Sequence, residues 1–176
     1  KATTEDDVIA AKNAGKFAIE KEAAKAEVEA AKAAKEKLID ANDKLSNDEK
    51  QAAKDAVEEA ATNAIQAIDA AQDQSTVDSA KTTGKEAVEA VNPVGKEKAL
   101  AAIDKALAEK EKAIDANDKL SDAEKEAAKA EAKKAADEAK KAINEATDQA
   151  AVDAKQTEGT SAVEAVNPVG KEKALD

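Results

Sequence analysis

The sequence predicts an all-α fold of tandem antiparallel three-helix bundles, joined end to end and elongated. Three observations predict it. First, the chain repeats itself every 75 residues: IDANDKLS at 39–46 returns at 114–121, and AVEAVNPVGKEKAL at 87–100 returns at 162–175. Self-similarity at a fixed period marks an array of supersecondary units. Second, the chain is built from strong helix formers. Ala supplies 48 of its 176 residues, and 38% of the chain is charged. No run of alternating β-branched residues offers a strand. Third, caps and turns cut each copy into three segments with short connections, which is the pattern of a bundle.

The elements follow in order. Residues 1–15 read as the end of a preceding repeat, its third helix. Val8, Gly15 and Ala18-Ile19-Glu20 match Val77, Gly84 and Ala87-Val88-Glu89, and again Val152, Gly159 and Ala162-Val163-Glu164. Repeat 1 spans 16–91 and repeat 2 spans 92–166, with the start of a following repeat at 167–176. The first long helix runs from about Lys16 to Ala41. The stretch before it lacks a Pro, so residues 4–15 either form a separate mobile helix or run straight into it. Asn42-Asp43-Lys44-Leu45 forms a turn. Ser46 and Glu49, like Ser121 and Glu124, form a capping box in which each satisfies a backbone N–H at the helix start. Second helices therefore begin near Asn47 and Asp122, with Leu45 and Leu120 placed as hydrophobic staples. Ser75, followed by Asp78, is the expected cap of a short third helix over about 76–91, repeated at 151–166. Asn92 is the expected N-cap of the next helix, with Pro93 in its first turn.

The cores must be thin. Only 26 apolar residues are larger than Ala, and Ala removes little surface from water at about 25 cal/mol per Å². The expected core is Val28, Leu38, Leu45, Val57, Ile65, Ile68, Val77 and Val88 in repeat 1. In repeat 2 it is Leu100, Ile103, Leu107, Ile114, Leu120, Ile143, Val152 and Val163. The middle helix of repeat 2 offers only Ala between Leu120 and Ile143, so repeat 2 is expected to be the less stable.

The composition narrows the chemistry. With no His, Cys, Tyr, Trp, Met or Arg, thiolate and imidazole catalysis and the usual zinc sites are excluded. The expectation is that the chain is not an enzyme, with no catalytic, cofactor-binding or metal residues and no cofactor. Asp40, Asn42, Asp43, Asp48 and Glu49 cluster at a turn. An EF-hand counted from Asp40 would need an oxygen ligand and then Gly where Lys44 and Leu45 stand. Helix capping explains the cluster instead. Gly15, Gly84 and Gly159 recur within helical sequence and suggest close helix approach or a kink, since the phosphate-loop pattern is absent. A net charge of −11 opposes nucleic acid and anionic membranes as partners, and no apolar run is long enough to span a bilayer. Alternating Lys and Glu along the first two helices read as a solvated face. Phe17 and Ile19 are the one hint of an apolar contact patch.

These residues suggest a family. IDANDKLSDAEK, an Ala/Lys helix, then INEATDQAAVD and AVEAVNP resemble the Ala-rich three-helix repeats of Gram-positive cell-wall-anchored surface proteins. These are the repeats of the extracellular-matrix-binding (Ebh-like) type, catalogued as a domain of unknown function. The resemblance covers essentially the whole chain. It implies an extracellular, wall-anchored parent protein and a stalk or spacer that projects an adhesive domain. It supplies no catalytic residues. The partners it implies are neighbouring repeats of the same chain, in a monomer. The alternative is a module that binds a host matrix or plasma protein.

Overall fold

The computed structural model describes residues 4–171. It is all-helical among these residues, with six helices: α1 (Glu5–Ala41), α2 (Asn47–Ala70), α3 (Gln74–Ala90), α4 (Glu97–Asp115), α5 (Asp122–Glu145) and α6 (Gln149–Ala165). They form two compact units. Unit 1 comprises Lys1–Asp43 and Lys50–Pro93, and unit 2 comprises Lys44–Glu49 and Val94–Asp176. Residues 44–49, from the second half of the turn after α1 into the first turn of α2, thus belong to unit 2.

In unit 1, cross-helix contacts fix the directions. Lys25 pairs with Asp69, Lys32 with Glu58 and Lys54 with Asp40, so numbers rise on α1 as they fall on α2. Glu27 pairs with Lys81, and the Lys35 ammonium donates to the Glu89 carbonyl, so α1 and α3 run parallel. Their shared core is Ala24, Val28, Ile39, Val57, Ala61, Ala64, Ile68, Val77 and Val88. Unit 2 repeats the scheme. Its main cluster joins Ala99, Ile103, Ala106, Ala136, Ala139, Ile143, Val152 and Val163, with Leu100 and Leu107 packed against it half-buried. Capping boxes open α1 (Thr4, Asp7), α2 (Ser46, Glu49) and α5 (Ser121, Glu124).

Several sequence expectations change. Of the two readings of residues 4–15, the second holds: helix one does not begin near Lys16 but runs unbroken from Glu5, because no Pro interrupts it and Gly15 is not in a positive-φ conformation. Everything from Thr4 to Lys16 is exposed. At 3.6 residues per turn, Val8, Gly15 and Ile19 lie roughly half a turn around α1 from Phe17, Ala24 and Val28. The helix therefore carries two apolar stripes on opposite faces, and only the second is buried. Leu38, placed in the core from the sequence, is 68% exposed, and its neighbour Ile39 is buried instead. Ile65 is half-buried. Leu45 and Leu120 are buried, but not as staples. The staple partner would be Lys50 or Lys125, and Leu120 packs with Ile114 and Ala128 instead.

The third helices are capped by Asp73 and Asp148, not by Ser75. Asp73 Oδ1 accepts from the Thr76 N–H and hydroxyl, both at 2.8 Å. Asp148 accepts from the Ala151 N–H at 2.8 Å. Helix α4 starts at Glu97, four residues after Pro93, so Asn92 is not its cap. The residue before Pro is steered to extended backbone, and the chain remains non-helical through Lys96. The part of the following repeat at 172–176 lies outside the described residues, as do residues 1–3.

Candidate functional site: a glutamate-capped turn

Unit 2 contains a cluster built around residues 44–49 and the non-helical segment 94–96. Leu45 anchors it, almost wholly buried. Glu49 organises it. Its Oε2 accepts from the Ser46 N–H at 2.9 Å, while the Ser46 hydroxyl accepts from the Glu49 N–H at 3.1 Å, completing the capping box of α2. Its Oε1 turns the other way and accepts from the N–H groups of Lys96 at 2.7 Å and Glu97 at 3.0 Å. Burial pushes this carboxyl upward, but the N–H groups of Ser46, Lys96 and Glu97 and the Ser46 hydroxyl hold it below its ordinary value.

Gly95 is the second element. A Cβ there would overlap the Lys44 carbonyl, so only Gly allows the turn this close to residues 94–96. Gln149 brackets the same residue: its Oε1 accepts from the Gly95 N–H at 2.8 Å and its amide donates to the Gly95 carbonyl at 3.3 Å. The Gln149 amide also donates to Asp153 at 2.9 Å, and Lys44 pairs with Asp153 at 3.0 Å. Both contacts, Gln149 first, hold the Asp153 carboxyl below its usual range. The Lys96 ammonium donates to the Asn144 carbonyl at 2.6 Å, near the exposed end of α5.

The arrangement recurs 75 residues on. Glu124 Oε2 accepts from the Ser121 N–H at 2.9 Å and Oε1 from the Lys171 N–H at 2.8 Å. A Cβ on Gly170 would overlap the Lys119 carbonyl. Glu49 and Gln149 spend their oxygens on backbone N–H groups, so the cluster ties the turn to the start of α4.

The other sequence candidates fall as follows. Of the acidic turn, Asp40 pairs with Lys54 and Glu49 caps helices. No group of three or more carboxylates among the described residues is arranged to hold a metal ion. Gly84 and Gly159 sit at close helix approaches: a Cβ would overlap Ala64 in the first case and Ala139 in the second. Gly15 has nothing within 4 Å. Phe17 is half-buried with the Lys21 ammonium 4.9 Å from its ring centre, while Ile19 is 70% exposed, so the two do not form one patch. A groove of about 570 Å³ between α2 and α3 is floored by small residues such as Ala60, Ala64, Ala80 and Ala87. Its counterpart in unit 2 is about 220 Å³, bordered by the Lys155–Glu158 pair. No described helix is long and apolar enough to cross a membrane.

Sequence reasoning found the capping boxes but not the second partner of each glutamate, nor the roles of Gly95, Gly170 and Gln149. The available signal was the Val-Gly after Pro in both copies of NPVGKEK, since Gly in a conformation any residue can adopt implies close approach.

A family model described as Domain of Unknown Function (DUF1542) matches the chain twice in tandem, over residues 20–96 and 95–171. No curated protein and no solved structure matches it.

Proposed function

The chain belongs to the DUF1542 family, the repeat family of Gram-positive surface proteins such as Ebh, and from that premise we propose that it is a length of spacer. In this reading the repeats sit outside the cell, in a wall-anchored protein, and hold an adhesive domain away from the surface. The single observation that carries the reading is the repetition of the glutamate-capped turn. Ser46, Glu49 and Gly95 reappear as Ser121, Glu124 and Gly170: each glutamate accepts from the Ser N–H and from a Lys N–H 47 residues on, and each glycine lies against a Lys carbonyl of the turn. A structure that reproduces its own continuation can be lengthened by adding copies, without redesign. A 24-residue helix such as α2 or α5 is about 36 Å long, which bounds what each copy adds.

The reading assigns the chain no catalysis and no cofactor, because it carries no His, Cys, Tyr or Arg with which to build a site. It assigns no nucleic-acid partner, because a net charge of −11 opposes phosphates.

The second reading, a module that binds a host protein, rests on the groove between α2 and α3. Against it stands the absence of Trp, Tyr and Arg, the residues that dominate binding hot spots. The deciding experiment immobilises the 176-residue chain and exposes it to plasma and to matrix extract. The spacer reading expects nothing retained above a blank surface. Saturable capture of a host protein, lost when Ala60→Glu fills the groove, would replace it with the second reading.

A further inference from the structure

We infer that the capping-box glutamate Glu49 also caps α4, the helix that opens the next repeat. Helix α4 is then held at its start by a turn 47 residues earlier in the chain, and Glu124 takes the Lys171 N–H at the same spacing. The inference begins from an unfilled requirement. An α-helix leaves its first N–H groups without intrahelical partners. At α4 the residue in the N-cap position is Lys96, and its side chain makes no capping bond. The residue suited to cap, Asn92, lies too far upstream to reach. Glu49 Oε1 takes the N–H groups of Lys96 and Glu97 instead, and a carboxylate there also complements the positive end of the helix dipole.

The chemistry requires glutamate. One oxygen serves Ser46 and the other serves α4, so a side chain with two acceptor oxygens is needed. Gln suffices for an ordinary capping box, but it has one acceptor, and its NH₂ would face an N–H donor on one side. Asp is a methylene shorter and cannot keep both oxygens in place. Gly95 makes the approach possible, and Gly170 with Glu124 and Lys171 repeats it. Glu49 is thus a positioning residue for α4, and the folding of one repeat's first helix depends on the sequence of the repeat before it.

Amide hydrogen exchange in the full 176-residue chain tests this. In Glu49→Ala, exchange at Lys96 and Glu97 should quicken by about tenfold or more. In Ser46→Ala, which leaves the carboxylate in place, these two amides should keep their protection. In Glu124→Ala the quickening should move to Lys171 and spare Lys96 and Glu97. The milder Glu49→Gln should expose either Ser46 or the Lys96–Glu97 pair, because it cannot serve both. The inference is overturned if Lys96 and Glu97 exchange at the wild-type rate in Glu49→Ala. It is equally overturned if Glu124→Ala or Ser46→Ala quickens them as much, since the effect would then be general loosening, or if Glu49→Gln leaves all three amides protected.

Discussion

Val57 on α2 and Ala132 on α5 occupy the same place in their repeats, and both are fully buried. The buried column of α2 reads Ala53, Val57, Ala61, Ala64, Ile68, and that of α5 reads Ala128, Ala132, Ala136, Ala139, Ile143. Unit 2 recovers apolar bulk on its first helix. Ile103 replaces Val28, and half-buried Leu100 and Leu107 stand where unit 1 has Lys25 and Lys32. In the opposite sense, Ile65 on α2 becomes Lys140 on α5, which pairs with Asp104 at 2.8 Å. Apolar bulk has moved between helices while the fold has stayed. What does not move is the frame: Leu45 and Leu120, Gly84 and Gly159, Val77 and Val152, Val88 and Val163, and the capping glutamates. Such a bundle is specified by close approaches and helix ends, and the rest of the core is adjustable.

The comparison can be broken at its fixed points first. Gly84→Leu and Gly159→Leu should each destabilise their unit by about 3 kcal/mol, because even a Cβ overlaps the facing Ala. Gly159→Leu should be the worse, with Ile103 Cδ1 also 3.0 Å from that Cβ. Unchanged thermal melting would show that the helices need not approach so closely. The same substitution at Gly15, where nothing lies within 4 Å, should be harmless.

The next effect sharpens the difference between the middle helices. Val57→Ala should cost about 2 kcal/mol in urea unfolding, as a buried side chain lost from a packed core. The reverse exchange, Ala132→Val, should not return this. It should cost about 1 kcal/mol, since Ala132 is fully enclosed at its present size. A gain from Ala132→Val would mean that the all-Ala column leaves unfilled space.

Acid should act on both units. Glu27, Glu49, Asp73, Asp137 and Asp153 all have carboxyls held below their ordinary values. The stability these groups contribute is present above the unfolded carboxylate range, about 4, and is lost as pH falls through their lower folded values. Exchange protection should therefore be flat from neutral pH down to about 5 and fall below 4. The loss should include Lys96 and Glu97, where a protonated Glu49 can no longer accept on both oxygens. Constant protection down to about pH 2 would contradict this. The smallest effect is expected from Lys133→Ala, which removes an exposed pair with Asp137. It should produce no resolvable shift in melting, because exposed pairs are screened and cost side-chain entropy.

The helix starts and the tandem period were legible because they rest on short-range chemistry. Ser46 with Glu49 and Ser121 with Glu124 announce α2 and α5 within a few residues of sequence. The misassigned features depend on partners far away. Leu38 and Ile39 are adjacent apolar residues on one helix, and only the crossing of α2 and α3 decides which is buried. Asn92-Pro93 carries a strong local cap signal, but Gln149 holds Gly95 in a non-helical segment and Glu49 caps the helix that starts four residues after Pro93. The cap between Ser75 and Asp73 was decided by geometry, since Asp73 Oδ1 reaches both the N–H and the hydroxyl of Thr76. The second oxygen of Glu49 was invisible because its partners lie 47 and 48 residues away.

The spacer reading rests on length growing with copy number. Small-angle scattering on chains of two, three and four repeats measures this directly. The maximum dimension should rise by a constant increment of a few nanometres for each added 75 residues, bounded by the helix length of about 36 Å. A dimension that levels off as repeats are added, with scattering from a near-spherical particle, would contradict the spacer function.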